Sequence, residues 1–349
     1  MDALLNHGFD VCVFSIALPL ESAAHSKNQC KVVFPKRSFG FLGTGLASKI
    51  AYLFSLPELK RCIKDFEPDV LHAHYASSYG LLGALSGFSP FFISVWGSDI
   101  LAFPNKSFLH HKLLKYSLNA ADRVFATSNL LESEVQRLFS IEATVISFGI
   151  DCDVFYPHRT SIYYSENELV IGSIKSMEKI YRMDWIIKAF AEVQRLRPNA
   201  SLRLLLVGGG SQLDILKALA SEICSSDTYT FTGKVAYSEI PELTAQLDIF
   251  VHAAINESFG VSTLEAASCG KPAVVCNSGG ANEVVLKNDT ALLYDEYNFD
   301  SFVSQLLILV DDASLRIRMG KNARSFVEHN FDWKNNVHAM INSYQDVLG

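Results

Sequence analysis

Asn256-Glu257-Ser258-Phe259-Gly260-Val261-Ser262-Thr263-Leu264-Glu265-Ala266-Ala267-Ser268-Cys269-Gly270-Lys271-Pro272 follows a short apolar run of strand type, Asp248-Ile249-Phe250-Val251-His252. After Gly260, apolar residues return at helical spacing at Val261, Leu264 and Cys269. The stretch therefore reads as strand, loop and helix. At the start of such a helix, free N–H groups and the positive end of the dipole favour an anion such as a phosphate. The backbone of Phe259, Gly260 and Val261 is the candidate cradle. Glu257 lies in the loop and Glu265 more than a turn inside the helix, so the two carboxylates can reach different parts of one elongated ligand. A carboxylate suits vicinal hydroxyls, each oxygen accepting from one O–H. A ligand with phosphates between two polyhydroxy rings is a nucleotide sugar. Taken singly, Glu257 reads as a solvated loop residue and Glu265 as a helix-surface charge.

The rest of the chain fits a doubly wound pattern. Its 349 residues exceed the usual single-domain size, and 49% hydrophobic with 19% charged residues can bury real cores. A formal charge of −7 argues against a general nucleic-acid binder. Seven cysteines, with no Cys-x-x-Cys pair, read as reduced thiols of a cytosolic protein. The first residues lack the basic and long apolar segments of a signal peptide, and every long apolar stretch is interrupted.

Strand patterns fall at Asp10–Ile16, Asp69–His74, Phe91–Val95, Arg123–Thr127 and Thr144–Ile146, with helical periodicity between them. A break follows at Ser147 to Pro157. The pattern then restarts at Leu169–Ser173 and continues through Leu202–Val207, Tyr229–Phe231, Asp248–His252, Ala273–Cys276 and Ala291–Tyr294. The expectation is an α/β chain of two domains, 1–157 and 158–330, with a last segment 331–349. Two further strands run into glycines: Leu204 to Val207 into Gly208-Gly209-Gly210, and Ala273 to Cys276 into Ser278-Gly279-Gly280-Ala281-Asn282-Glu283. In open α/β sheets ligands lie at such carboxyl ends, although a bare tight turn has the same look.

The Asn256 to Pro272 run resembles the Glu-x7-Glu signature of family 4 glycosyltransferases, which have the GT-B fold of two facing Rossmann-like domains with parallel sheets. The resemblance implies that Glu265 binds the nucleotide ribose, that Glu257 contacts the donor sugar, and that the backbone between them holds the diphosphate. It implies a Gly-Gly-x-x-Glu loop at Gly279 and Gly280 by the phosphates, with Gly208 and Gly209 on the donor side. The Phe148-Gly149-Ile150-Asp151 to Pro157 stretch is similar to the family's interdomain linker, and the helix Trp333 to Leu348 would cross back onto the first domain.

Departure of a diphosphate needs its growing charge stabilised, and lysines with helix N-termini can supply that without metal. The family uses a Gly-Arg-x-x-x-x-Lys-like segment. Here Gly172-Ser173-Ile174-Lys175-Ser176-Met177-Glu178-Lys179-Ile180-Tyr181-Arg182-Met183-Asp184 is closer to a branch with Gly-Thr-Val-Lys and a later Lys-Tyr-Gly. This implies Lys175 and Lys179 as the catalytic cations and Gly172 on the donor side. The second lysine is shifted by one place and Arg182 stands at a glycine, so either Lys179 or Arg182 fills that role. Without the resemblance the segment is a solvated basic loop.

In the first half, Pro68-Asp69-Val70-Leu71-His72-Ala73-His74-Tyr75 resembles the family's Pro-Asp-x-x-His-x-His strand end. The next strand ends Ser94-Val95-Trp96-Gly97-Ser98-Asp99, where many relatives carry His at Trp96. The acceptor side would then comprise His72, Tyr75, Trp96 and Gly97, with His74 or Asp99 as compensating catalytic groups, or Trp96 stacked on a sugar. Equally, His72 and Trp96 read as core and Asp99 as a helix N-cap.

Between Glu21 and Glu58 there is no acidic residue, while Lys27, Lys31, Lys36, Arg37 and Lys49 punctuate an aromatic stretch with Phe34, Phe39, Phe41, Tyr52 and Phe54. Such a surface suits an anionic membrane or a pyrophosphate-linked lipid acceptor, and equally a solvated loop with a core-facing helix.

Together these features lead to the expectation of a retaining hexosyltransferase, resembling bacterial enzymes of surface-polysaccharide biosynthesis. It would need no metal and no cofactor beyond its nucleotide-sugar co-substrate, act on a saccharide or lipid-linked saccharide, and be cytoplasmic, peripheral at the inner membrane face, without nucleic-acid partners. A nucleotide-sugar epimerase of the same fold and a degenerate, non-catalytic partner subunit are the alternatives. A NAD dehydrogenase fails because Leu213 occupies the third glycine of Gly-x-Gly-x-x-Gly. Finally, Met1 to His7 read as the tail of a helix capped by Gly8. Relatives open with a strand, a glycine-rich loop and most of that helix, so the expectation is an N-terminal truncation that leaves a gap in the first sheet and impairs activity.

Overall fold

The computed structural model describes residues 2–16, 30–34, 52–158, 163–165 and 167–348. They divide into two compact units, one of residues 1–147 with 336–349, the other of residues 148–335.

The first unit holds strands β1 (Val11–Phe14), β2 (Cys30–Val33), β3 (Leu71–His74), β4 (Phe91–Val95), β5 (Arg123–Ala126) and β6 (Thr144–Val145). β3 to β6 form a parallel sheet in that order. β4 is apolar throughout except for Ser94 and buried at every position, as expected for a strand covered on both faces. β1 and β2 pair in parallel with each other and, among the described residues, with no other strand. The β2 strand has no counterpart in the sequence reading, because Lys31-Val32-Val33-Phe34 is too short an apolar run to separate from its aromatic surroundings. Of that basic, aromatic stretch, Lys27, Lys36, Arg37, Phe39, Phe41 and Lys49 lie outside the described residues. The last helix, Trp333–Leu348, returns to this unit, where Tyr344 stacks on Phe92 with ring centroids 6.0 Å apart.

The second unit holds β7 (Leu169–Ile174), β8 (Leu202–Val207), β9 (Tyr229–Gly233), β10 (Ile249–His252), β11 (Ala273–Cys276) and β12 (Ala291–Tyr294). They form one parallel sheet in the order β12-β11-β10-β7-β8-β9. Side chains alternate between its faces. Leu204 and Leu206 of β8, Ile249 and Val251 of β10 and Val274 of β11 enter one core with the helices Met183–Leu196 and Phe299–Asp311. Leu205, Val207, Phe250 and Val275 enter another with Val261–Ser268 and Ala313–Asn330. Residues 148–157, expected in the first domain, pack here instead. Cys152 and Phe155 are buried in the second core, and the Arg324 guanidinium donates to their carbonyls at 3.1 and 2.6 Å. The chain order reverses between β7 and β10, and in such sheets ligands bind at the carboxyl ends beside that switch. Lys175, Gly208 and the loop carrying Glu257 all leave the sheet at those ends.

Candidate active site

Lys175 follows β7 directly, and its Nζ lies 2.7 Å from Oε2 of Glu257. Both side chains are largely buried, 17% and 13% exposed, so this pair is only weakly screened by water. His252, at the end of β10, brings Nε2 to 3.5 Å from the same oxygen, while its buried Nδ1 has no hydrogen-bond partner. Burial pushes the Glu257 carboxyl up, but the His252 contact and the Lys175 charge outweigh it and hold the group down at about 2. The ring of Tyr181 lies under Lys175 Nζ, 4.7 Å from centroid to nitrogen.

The helix Val261–Ser268 starts from Gly260, whose φ of 108° replaces a side-chain cap. Gly260 offers no side-chain cap and Thr263 N–H donates to its carbonyl at 2.9 Å; a helix N-terminus of this kind suits an anion. The hydroxyls of Ser262 and Thr263 in that turn are buried without hydrogen-bond partners. Phe259 contributes backbone only; its ring is buried against Phe148 and Phe331. Glu265 is 5% exposed, and its Oε1 accepts from the Tyr237 hydroxyl at 3.3 Å. Burial raises its carboxyl to about 7 against the opposing pull of Tyr237 and Lys175. It is therefore a helix residue turned into the protein, not a surface charge.

The glycines serve close approach of the loops that carry these groups. At Gly208, φ 136°, an added Cβ would stand 2.1 Å from the carbonyl oxygen of Lys175. At Gly279 and Gly280 it would stand 2.6 and 2.2 Å from the carbonyl oxygens of Glu257 and Ser258, and Gly280 N–H donates to Glu257 O at 2.7 Å. Gly209 is crowded less, with Lys234 Cβ at 3.1 Å. Gly172 lies inside β7, where a Cβ would meet Leu205 O at 2.5 Å; its smallness serves sheet packing.

The two candidates for the second cation differ. Arg182 donates to the Glu296 carbonyl at 2.8 Å and lies over the Trp185 ring at 3.5 Å, so its guanidinium is engaged in packing. Lys179 is exposed at the start of the turn Lys179–Tyr181.

In the first unit, two of the expected catalytic or acceptor groups are hydrogen-bonded within the protein. His72 donates or accepts at both ring nitrogens, 2.7 Å to Tyr344 Oη and 2.8 Å to Ser94 Oγ, and burial followed by His74 lowers its basicity well below the ordinary range. Asp99 is fully buried and accepts backbone N–H bonds from Ala76 at 2.9 Å, Gly97 at 2.9 Å and Trp96 at 3.2 Å. Burial raises its carboxyl and those three donors counter it. Asp99 ties the end of β3 to the end of β4. Gly97, φ 149°, is required for that turn. Trp96 is 40% exposed, with its ring 5.3 Å from that of His74, itself exposed, and is not core. Tyr75 hydrogen-bonds Ser98 through its hydroxyl.

The sequence reading missed His252 and Tyr237. His252 closes a strand five residues before Glu257, and the rule that ligands sit at strand ends could have found it. Nothing local marks Tyr237. Among the described residues, no group of three or more His, Cys, Asp or Glu could hold a metal ion, and no helix is long and apolar enough to cross a membrane.

Comparison with known proteins bears on the family and the fold. Residues 158–326 match the glycosyl transferases group 1 family, and residues 1–128 the glycosyl transferase 4-like family. The chain is 28% identical over 293 residues to N-acetyl-alpha-D-glucosaminyl L-malate synthase of Bacillus anthracis, covering 80% of this chain and 75% of that one. It is 29% identical over 198 residues to a GDP-mannose-dependent alpha-(1-6)-phosphatidylinositol monomannoside mannosyltransferase of Mycobacterium tuberculosis, covering 53% and 51%. Among solved structures, sucrose-phosphate synthase of Thermosynechococcus elongatus superposes with a TM-score of 0.84 at 18% identity, over 99% of this chain and 91% of that one. Anabaena HepE in complex with UDP and glucose superposes with a TM-score of 0.80 at 18% identity, over 99% and 94%.

Proposed function

The chain belongs to the glycosyltransferases of GT-B fold, and we propose that it moves a hexose-type unit, with retention, from a nucleotide sugar to a saccharide or lipid-linked saccharide in polysaccharide biosynthesis. The carrying observation is the convergence of the Lys175–Glu257 pair, the uncapped helix start at Gly260 and the buried Glu265 at one end of one sheet. The solved complex of Anabaena HepE with UDP-glucose supports this donor class.

In this reading Glu265 accepts the ribose hydroxyls and the backbone from Gly260 to Ser262 receives the diphosphate. Lys175, with Lys179, neutralises the charge that grows as the bond from sugar C1 to the diphosphate oxygen breaks. Glu257 accepts from a sugar hydroxyl and holds Lys175 in place. The acceptor hydroxyl forms the new bond to C1 and its proton leaves with the diphosphate. His74, Tyr75 and Trp96 serve the acceptor. These groups supply the charge stabilisation without metal, and the protein works at the cytoplasmic side of a membrane.

Thermal shift against a panel of nucleotides and nucleotide sugars tests the donor class, because a ligand that binds only the folded chain raises the melting temperature. Transfer from the stabilising sugar nucleotide in the presence of chelator then tests the reaction. A panel without stabilisation, or turnover strictly dependent on added manganese or magnesium, would contradict the reading.

A further inference from the structure

We propose that one face of the helix Phe108–Asn119 in the first unit is a docking surface for an anionic lipid bilayer. The inner side of this helix carries Leu114, Ser117 and Leu118, all buried. Its outer side carries Phe108, Leu109, Lys112, Lys115 and Tyr116, spaced at one, four, seven and eight residues from Phe108 and therefore on one face.

That face is apolar where a soluble helix is usually polar. Phe108 is 74% exposed, Leu109 50% and Tyr116 49%. Single exposed apolar residues are ordinary, but three on one helix face form a patch of the kind that marks an interaction surface. Cations are interleaved with them. Lys112 Nζ sits 4.5 Å from the Phe108 ring centroid, Lys115 lies one turn on, and Lys106 precedes the helix in the turn Pro104–Lys106. All three lysines are exposed.

The charge pattern selects the partner. From Ile100 to Ala121 there are three lysines and no aspartate or glutamate, in a chain whose overall charge is −7. A basic stripe beside exposed aromatic and leucine side chains complements phosphate headgroups above an acyl boundary, with the lysine stems snorkelling past the rings. Ser107 caps the helix N-terminus by accepting from His110 N–H, so the helix stands on its own cap and tertiary packing and needs no membrane to form.

The test uses the full chain and sedimentation with vesicles, independent of any turnover. The chain should pellet with vesicles containing phosphatidylglycerol, remain in solution with pure phosphatidylcholine, and be released by salt. Phe108→Ser with Leu109→Ser, and separately Lys112→Glu with Lys115→Glu, should each weaken binding at least tenfold with an unchanged melting temperature, since all four side chains are exposed. Nucleotide binding should not change in either variant. A wild-type chain that stays in solution with anionic vesicles, or double variants that pellet as well as wild type, would overturn the proposal. So would self-association in solution that Phe108→Ser abolishes, because it would assign the face to a second copy of the chain. Loss of nucleotide binding in wild type would instead strike the donor reading and leave this one intact.

Discussion

Lys175 Nζ and Glu257 Oε2 lie 2.7 Å apart across two loops, each spaced by glycines that a single Cβ would push away. A buried ion pair is a poor source of stability, because desolvation offsets most of its Coulomb gain. In the proposed reading its use is positional: it fixes the Lys175 cation against the loop that leads into the helix Val261–Ser268.

Replacing Lys175 by methionine should therefore damage the chemical step more than donor binding. The growing charge on the diphosphate exists only near the transition state, so kcat should fall by roughly a hundredfold or more, with donor KM changed much less. Steady-state kinetics with saturating acceptor read this directly. A variant with wild-type kcat and raised KM would show that Lys175 only binds.

Glu265 makes the stability of the ligand-free chain depend on pH. Its folded carboxyl titrates at about 7 against an ordinary value of 4.5, so the folded state holds a proton that the unfolded chain has lost. That contribution is complete below 4.5 and fades as pH rises through 7, a change on the order of 3 kcal/mol for this group. Glu257, held down at about 2, has the opposite sign and its contribution is lost only as pH falls below 4.5 towards 2. Melting curves between pH 5 and 8 should show a downward slope that Glu265→Gln flattens. An unchanged slope in that variant would remove the assignment.

Tyr237→Phe removes the hydroxyl that Glu265 accepts in the ligand-free chain. If ribose hydroxyls take its place, the variant should bind nucleotide roughly two- to tenfold more tightly, because the bound state regains a donor that the free state now lacks. A 2′,3′-dideoxy nucleotide should show no such gain. Isothermal titration with both ligands gives the comparison, and weaker binding of the ordinary nucleotide by the variant would refute the exchange.

Lys179 and Arg182 should separate by phenotype. Arg182→Ala loses the Trp185 stack and the bond to the Glu296 carbonyl, and should lower the melting temperature. Lys179→Ala, at an exposed position, should leave melting unchanged and reduce turnover. The reverse pattern would assign the phosphate role to Arg182.

Much of this was readable from one sequence because it is local. β4, β8, β11 and β12 were expected at the bounds observed, since buried parallel strands leave predominantly apolar runs, broken here only by Ser94 in β4 and Arg203 in β8. The last helix, Trp333–Leu348, was equally legible. Glu257, Gly260 and Glu265 were legible because strand, loop and helix follow one another directly. The tertiary structure decided what depends on atoms distant in sequence. His72 lies inside β3 and Asp99 in the short helix after β4, and only the folded chain supplies their partners, Tyr344 and Ser94 for one and three backbone N–H groups for the other. Lys175, Tyr237 and Glu265 likewise meet their neighbours only in the folded chain. Residue type and spacing specify which groups can carry charge, but the state of that charge is set by burial and by neighbours within a few ångströms, and these exist only once the loops have packed.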